Sequence, residues 1–455
     1  MAGDLADFFG RRPTIIVGCL TFIAGAIVQT AITLDNPNQA LGLIVAGRLI
    51  TGFGLGHVSV TIVIYMSEIC PRKVRGALVS SYQFFITVGI LLSSVVAYAA
   101  QSRVDTGQYR IPIATQFSWA VILALIIFFL PESPRYFVKR GRTDDARHCL
   151  AALRGQPVDS KFIEAELTEI IANAEYERRI IPTTSYISSW TNCFTGSLWK
   201  AKSNLRRTFL GTTLHMMQQW TGINFIFYYS TPFLQSTNAI SNTFLISLIF
   251  TLVNVLSTPV SFWTIEKFGR RPLFIWGAIG MLVCQFVIAI VGNTVGFDHT
   301  HMDAGNNNNS NIADNISAVN AQIAFICIYI FFFASTWGPG GWVLTGEIFP
   351  IPIRSRGIAL SIASNWFWNT IIAVITPYLV REDKGNLKSN VFFVWGSVCA
   401  CAVVYAYFLI PETKGLTLEQ VDRLFEETTP RTSAKWKPTM TFTTQMGVKN
   451  GHLDV

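Results

Sequence analysis

The sequence predicts an all-α membrane protein built from two repeated halves. Three observations carry that prediction. Charged residues make up only 14% of the 455 residues while 51% are hydrophobic; soluble domains carry about 25% charged residues. The apolar residues gather into ten runs near the length, about 20 residues, that a helix needs to cross a bilayer. One signal also occurs twice. GDLADFFGRRP (3–13) and WTIEKFGRRP (263–272) each set an acid, Asp7 or Glu266, three residues before Gly-Arg-Arg-Pro, and a long apolar run follows each proline.

The ten runs are 14–34, 40–66, 77–100, 111–130, 208–234, 243–265, 273–291, 323–346, 359–380 and 391–410, each bounded by charge, proline or Asn-Gly chemistry. GRRP reads as the loop that enters the first and the seventh run. A cleavable signal peptide does not fit the length of the first run. Basic residues set the orientation. Loops holding Arg11, Arg12, Arg72, Arg75, Lys267, Arg271, Arg354 and Arg356 alternate with the loops 35–39 and 235–242, which lack Lys and Arg. Basic loops belong in the cytosol, so both chain ends are expected there. The polar, basic stretch 131–207 joins them as a linker in which 144–153 and 161–179 read as amphipathic helices. The chain therefore divides into four spans (1–130), the linker (131–207), six spans (208–410) and a cytosolic tail (411–455). The long loop 292–320 falls on the opposite side. It carries two glycosylation sequons, at Asn308 and Asn315.

The net charge of +8 sits in these short loops, which marks topology rather than a nucleic-acid face. The eight cysteines make no metal-ligand spacing and lie in apolar runs or cytosolic segments, so no disulfide is expected. No nucleophile–base pair, metal cluster or phosphate loop is found. The expectation is no enzyme, no cofactor and no metal, with the lipid bilayer as surroundings and no nucleic-acid partner.

The repeat extends further. Glu68-Ile-Cys-Pro71 with Arg75 follows the second run, and Glu347-Ile-Phe-Pro350 with Arg354 follows the eighth. Pro131-Glu132-Ser133 closes the fourth run, and Pro411-Glu412-Thr413 closes the tenth. Two runs precede the Glu266 loop but none precedes the Asp7 loop. A pair of six-span halves would hold twelve spans, so the expectation is that two spans are absent before Met1.

Polar groups inside the runs carry the functional reading, because each costs free energy in hydrocarbon. Gln83, Gln218, Gln219, Asn224, Asn254, Asn365 and Asn369 are neutral amides. Singly, each reads as a bond between helices. As a set they offer both donors and acceptors, which suits a polyol and not an ion. Trp342, Trp366 and Phe227 could pack on the apolar face of a sugar ring, whereas Phe333 reads as core. Gly222 loosens the helix between Gln218 and Asn224. Gly338-Pro339-Gly340-Gly341 is expected to break the eighth span. His57 and His215 read as packing residues.

These motifs, with GRLITG (47–52), SEICPRKVRG (67–76), PESPRY (131–136), QQWTGINFIFYYS (218–230), GEIFPIPIRSRG (346–357) and PETKG (411–415), resemble the sugar porter family of the major facilitator superfamily, and most of all fungal glucose and hexose transporters. The resemblance covers residues 3 to 424. It departs from the family at Glu266, usually Asp, and in the missing first two helices, which would make this an N-terminally truncated form. The resemblance implies transport of a monosaccharide, a hexose such as glucose, across the plasma membrane by alternating access, as a uniporter or a proton symporter. It implies sugar contacts from Gln83, Gln218, Gln219, Asn224, Asn254, Trp342 and Asn365, and an outer gate at Tyr228 and Tyr229. It implies a cytosolic charge gate of Asp7, Arg11, Glu68, Arg75, Glu132 and Arg135 in one half and Glu266, Arg270, Glu347, Arg354 and Glu412 in the other. Arg48, deep in the second run, would pair with an acid on the missing first helix if a proton is coupled. A non-transporting sugar sensor and an inactive truncated form are the alternatives.

Overall fold

The structure, a computed structural model, describes residues 2–32, 37–71, 74–180, 186–200, 203–236, 243–294, 316–350, 353–380, 384–385, 387–416 and 418–436. In order, its helices are α1 (Ala2–Phe9), α2 (Arg11–Thr30), α3 (Pro37–Ile69), α4 (Arg75–Ala100) and α5 (Gly107–Phe129). The linker then holds α6 (Pro134–Lys139), α7 (Thr143–Arg154), α8 (Lys161–Ile180) and α9 (Tyr186–Thr191). A second set follows: α10 (Asn204–Trp220), α11 (Ile223–Ser236), α12 (Thr243–Ser257), α13 (Val260–Phe268), α14 (Arg270–Thr294), α15 (Ile316–Phe332), α16 (Gly338–Ile348), α17 (Arg354–Val380) and α18 (Val391–Leu409). The tail adds α19 (Leu418–Glu427).

Among the described residues, eight helical stretches are long and apolar enough to cross a membrane, and the bent pair Leu245–Ser257 and Val260–Phe268 makes a ninth. The remaining expected span, 208–234, is divided between α10 and α11, of 17 and 14 residues. Large apolar side chains such as Phe129, Leu256 and Trp276 are exposed on the flanks, as helices facing lipid require. The main core lies among α10–α18, around Phe274, Tyr329, Trp337, Phe392 and Trp395. Smaller cores hold α2 and α3 to α5, and α6 to α7 and α8.

Each irregularity in the bundle has a local cause. Pro259 disfavours helix at Thr258 and has no N–H to give, and α12 and α13 meet there at 42°. At the α10–α11 junction Gly222 has φ 93°, and the freed carbonyl of Thr221 accepts from Tyr329 Oη at 2.8 Å and Gln285 Nε2 at 3.3 Å. The expected break at Gly338 is milder than a break. Residues Phe333–Trp337 form one π-helical turn and α16 continues from it, because Pro339 at the start of α16 lacks a donor and the extra residue in the turn absorbs the misfit.

The two GRRP segments differ from the expected loops. Asp7 is helical in α1 and Glu266 in α13, and both arginines of each copy are helical. Each turn is a single glycine. Gly10 has φ 104°, ψ 165° and Gly269 has φ 94°, ψ 175°, a region open essentially to glycine alone. The prolines sit in the first turn of the next helix, where a missing N–H is harmless.

Candidate functional site

The end of the bundle that carries these glycines holds two charge clusters of the same design. In the first, the Arg11 guanidinium is buried and donates to Glu68 at 2.9 Å and Asp7 at 3.0 Å. Glu132 accepts from the backbone N–H groups of Arg11 and Arg12, both at 3.0 Å, which caps the first turn of α2 with a carboxylate. Ser133 Oγ donates to Glu68 at 2.5 Å. In the second, Arg270 donates to Glu347 at 2.8 Å and lies 3.8 Å from Glu266. Glu412 accepts from the N–H groups of Arg270 and Arg271 at 2.9 and 3.1 Å, and Thr413 Oγ1 donates to Glu347 at 2.6 Å. Arg12 lies over the Phe128 ring and Arg271 over the Tyr407 ring. The repeat seen in sequence is thus matched in space, except that Arg11 bonds Asp7 at 3.0 Å while Arg270 and Glu266 stand 3.8 Å apart.

Most gate residues therefore bond within their own cluster. Arg354 is buried and donates Nε to the Phe349 carbonyl at 3.2 Å. Arg135 is partly buried beside Glu68. The side chain of Arg75 lies outside the described residues, as do Asn308 and Asn315. Among the described residues, bonds that cross between α1–α5 and α10–α18 at this end pair the expected gate acids Asp7 and Glu266, and also Asp4, with partners that are not among the expected gate residues. Arg356 Nε donates to Asp4 at 3.1 Å, Ser355 Oγ to Asp7 at 3.1 Å, and the Ala77 N–H to Glu266 at 3.3 Å. Burial raises the Asp7 carboxyl, but Lys139, Arg11, Ser355 and Arg356 together hold it below the usual carboxylate range.

The amides converge farther inside. Gln218 Nε2 donates to the carbonyls of Trp337 and Gly338, both at 2.9 Å, and so closes the π-turn. Its Oε1 accepts from Asn365 Nδ2 at 3.0 Å. Gln219 Oε1 accepts from Asn224 Nδ2 and, at 3.4 Å, from Asn369 Nδ2. Trp342 Nε1 donates to Gln83 Oε1 at 2.8 Å, the one described side-chain bond that joins α4 to α16. Asn254 stands apart: its Oδ1 is buried and has no hydrogen-bond partner among the described residues. Gln83, Gln218, Gln219, Asn224, Asn254, Trp342 and Asn365 are buried, each 9% exposed or less, whereas Asn369 is only partly buried. Tyr228 and Tyr229 reach α17, at Asn369 (3.4 Å) and the Ala373 carbonyl (2.9 Å).

Arg48 is exposed on α3, next in sequence to Gly47 and three residues before Thr51, which are buried against α2. One expectation is corrected. His215 is not a packing residue alone. Its Nδ1 lies 3.0 Å from Gln218 Oε1 and 3.1 Å from Asn365 Nδ2, and its Nε2 lies 3.0 Å from Thr345 Oγ1. A lone histidine has no spacing signal in the sequence, because two of its three partners come from α16 and α17. His57 fits its expected role: Nδ1 lies 2.8 Å from the Phe53 carbonyl one turn back, and the ring packs on Phe53.

A multi-pass helical bundle with duplicated charge clusters at one end and a neutral polar centre defines a membrane transporter. The chain belongs to the family described as sugar (and other) transporter, whose model matches residues 1–425. The major facilitator-type transporter ecdD of Aspergillus rugulosus is 42% identical over 440 residues, 96% of this chain and 77% of its own length. The probable glucose transporter rco-3 of Neurospora crassa is 39% identical over 434 residues, 94% of this chain and 68% of its own. Among solved structures, the major facilitator proton:xylose symporter XylE bound to 6-bromo-6-deoxy-D-glucose matches with a TM-score of 0.75 at 25% identity, covering 93% of this chain and 85% of that one.

Proposed function

We propose that this chain carries a monosaccharide, a hexose such as glucose, across the plasma membrane by alternating access, as a uniporter or a proton symporter. The observation that carries the reading is the buried set of neutral amides and one indole, together with the carbonyl oxygen of Asn254, which has no partner among the described residues. Each sugar hydroxyl both donates and accepts, so a neutral set of donors and acceptors meets it without the desolvation cost of a charge. Gln83, Gln218, Gln219, Asn224, Asn254, Trp342 and Asn365 are the proposed contacts. The names of rco-3 and XylE support a sugar as cargo.

In this reading residues 1–130 and 208–410 are the two rocking units, and 131–207 and 411–455 lie in the cytosol with both chain ends. The charge clusters brace each unit. The links from Asp4, Asp7 and Glu266 hold the cytosolic end shut, while Tyr228 and Tyr229 line the opposite mouth. Asn308 and Asn315 would be glycosylated on the outer side. The test is counterflow of labelled glucose into proteoliposomes. Saturable uptake of D-glucose and none of L-glucose is expected; equal uptake of both, or of neither, contradicts the reading.

A further inference from the structure

His215 Nδ1, Gln218 Oε1 and Asn365 Nδ2 stand at the corners of a triangle with sides of 3.0, 3.0 and 3.1 Å. The amide orientations follow from chemistry. Gln218 Nε2 gives both hydrogens to the Trp337 and Gly338 carbonyls, so its Oε1 faces the triangle. Asn365 must then present Nδ2 to that oxygen. The third corner is the one free choice, because a neutral imidazole has one donor and one acceptor nitrogen.

All three sides cannot be hydrogen bonds at once. If Nε2 carries the proton, it donates to Thr345 Oγ1, 3.0 Å away, and Nδ1 accepts from Asn365. Both Asn365 hydrogens are then used, and Gln218 Oε1 keeps one lone pair for a ligand. If Nδ1 carries the proton, it donates to Gln218 Oε1 and Thr345 donates to Nε2. Both lone pairs of that oxygen are then used, and Asn365 keeps one N–H for a ligand. The ring is fully buried, and its face packs on Trp342 with centroids 4.9 Å apart, so it is held in place to make this choice.

We propose that His215 is a specificity-determining positioning residue. Its tautomer decides whether the Gln218–Asn365 pair meets a substrate hydroxyl with an acceptor or with a donor. This rests on the sugar-site reading above. A sugar hydroxyl can answer in either sense, so the ring couples to one hydroxyl of the substrate rather than to the whole molecule.

The test is equilibrium binding of D-glucose and of its monodeoxy analogues to the purified full chain. His215→Leu removes both ring nitrogens; His215→Gln keeps one donor and one acceptor. Glucose should bind His215→Leu about 2- to 12-fold more weakly, the span of one net hydrogen bond, and His215→Gln should return to within about twofold of the natural protein. One monodeoxy analogue, the one that lacks the hydroxyl over the pair, should bind His215→Leu and the natural protein equally, as a double-mutant cycle requires of a coupled pair. A uniform weakening of every analogue means a merely structural role and overturns the proposal, as does no weakening at all. If the natural protein binds no monosaccharide, the sugar-site reading falls and this proposal falls with it.

Discussion

At the scale of single residues, burial separates the acids that brace from the acids that switch. The Arg11–Glu68 pair has side chains 1% and 6% exposed, whereas Asp7 is 27% exposed. Removing one partner of a buried pair costs about 3–5 kcal/mol; a pair whose acid is partly open to solvent is worth less, down to about 0–1 kcal/mol at a fully exposed surface. Glu68→Gln should therefore lower the thermal unfolding midpoint far more than Asp7→Asn. Glu347→Gln should match Glu68→Gln, since Arg270 and Glu347 are equally buried. Similar midpoints for Glu68→Gln and Asp7→Asn would refute this division. The residues of these clusters were legible in the sequence because acid, glycine and arginine recur at fixed spacing. Ser133 and Thr413 stand beside them in both copies, but their hydroxyls acquire meaning only once Glu68 and Glu347 are brought to them from distant helices. The same holds for His215. Chain spacing says nothing of a triangle whose corners come from two helices.

At the scale of elements, the hinge between α1–α5 and α10–α18 at the basic end is a short set of bonds. It includes Arg356–Asp4, Ser355–Asp7 and Ala77–Glu266. A two-state protein shifts toward whichever state loses less when a bond is removed. Arg356→Ala or Asp4→Asn should thus favour the form open at this end. Alkylation from that side of a cysteine placed at Gly346, which packs near Ser67 across the seam, should speed up. Unchanged alkylation would mean that these bonds do not hold the end shut. Acid should act late. The Asp7 carboxyl lies below the usual carboxylate range, so its contribution is present above the unfolded value near pH 4 and is lost only as pH falls through the lower folded value. From pH 8 to 5 the alkylation rate should owe nothing to Asp7. Spans were legible as elements because length and apolarity alone define them. Their interruptions were only partly so: Gly222 announces itself, but α1 is only eight residues long, and the tail helix α19 shows its Val421, Leu424 and Phe425 stripe only against a core that the sequence does not display. The GPGG motif marks the right place, yet a π-turn and a break have the same sequence cause.

At the scale of the whole molecule, two bundles of helices meet along a seam that is bonded at one end and neutral and polar at its centre. Family membership and fold agree with a carrier, and the arrangement explains why the charges stay at the end. A charge at the centre would need a partner in either state, whereas an amide exchanges one neutral partner for another as the seam opens. Much of this scale was visible in the repeated signals. The exposure of Arg48 was not, since α3 is apolar all round apart from a few polar residues and gives no period to orient it. The central claim is that a monosaccharide sits among these amides, and a structure determined with D-glucose present tests it most directly. The account predicts sugar density between α4 and α10–α17, with a hydroxyl within about 3 Å of Asn254 Oδ1 and the ring beside Trp342. Density elsewhere, or none at a glucose concentration that saturates transport, would contradict it.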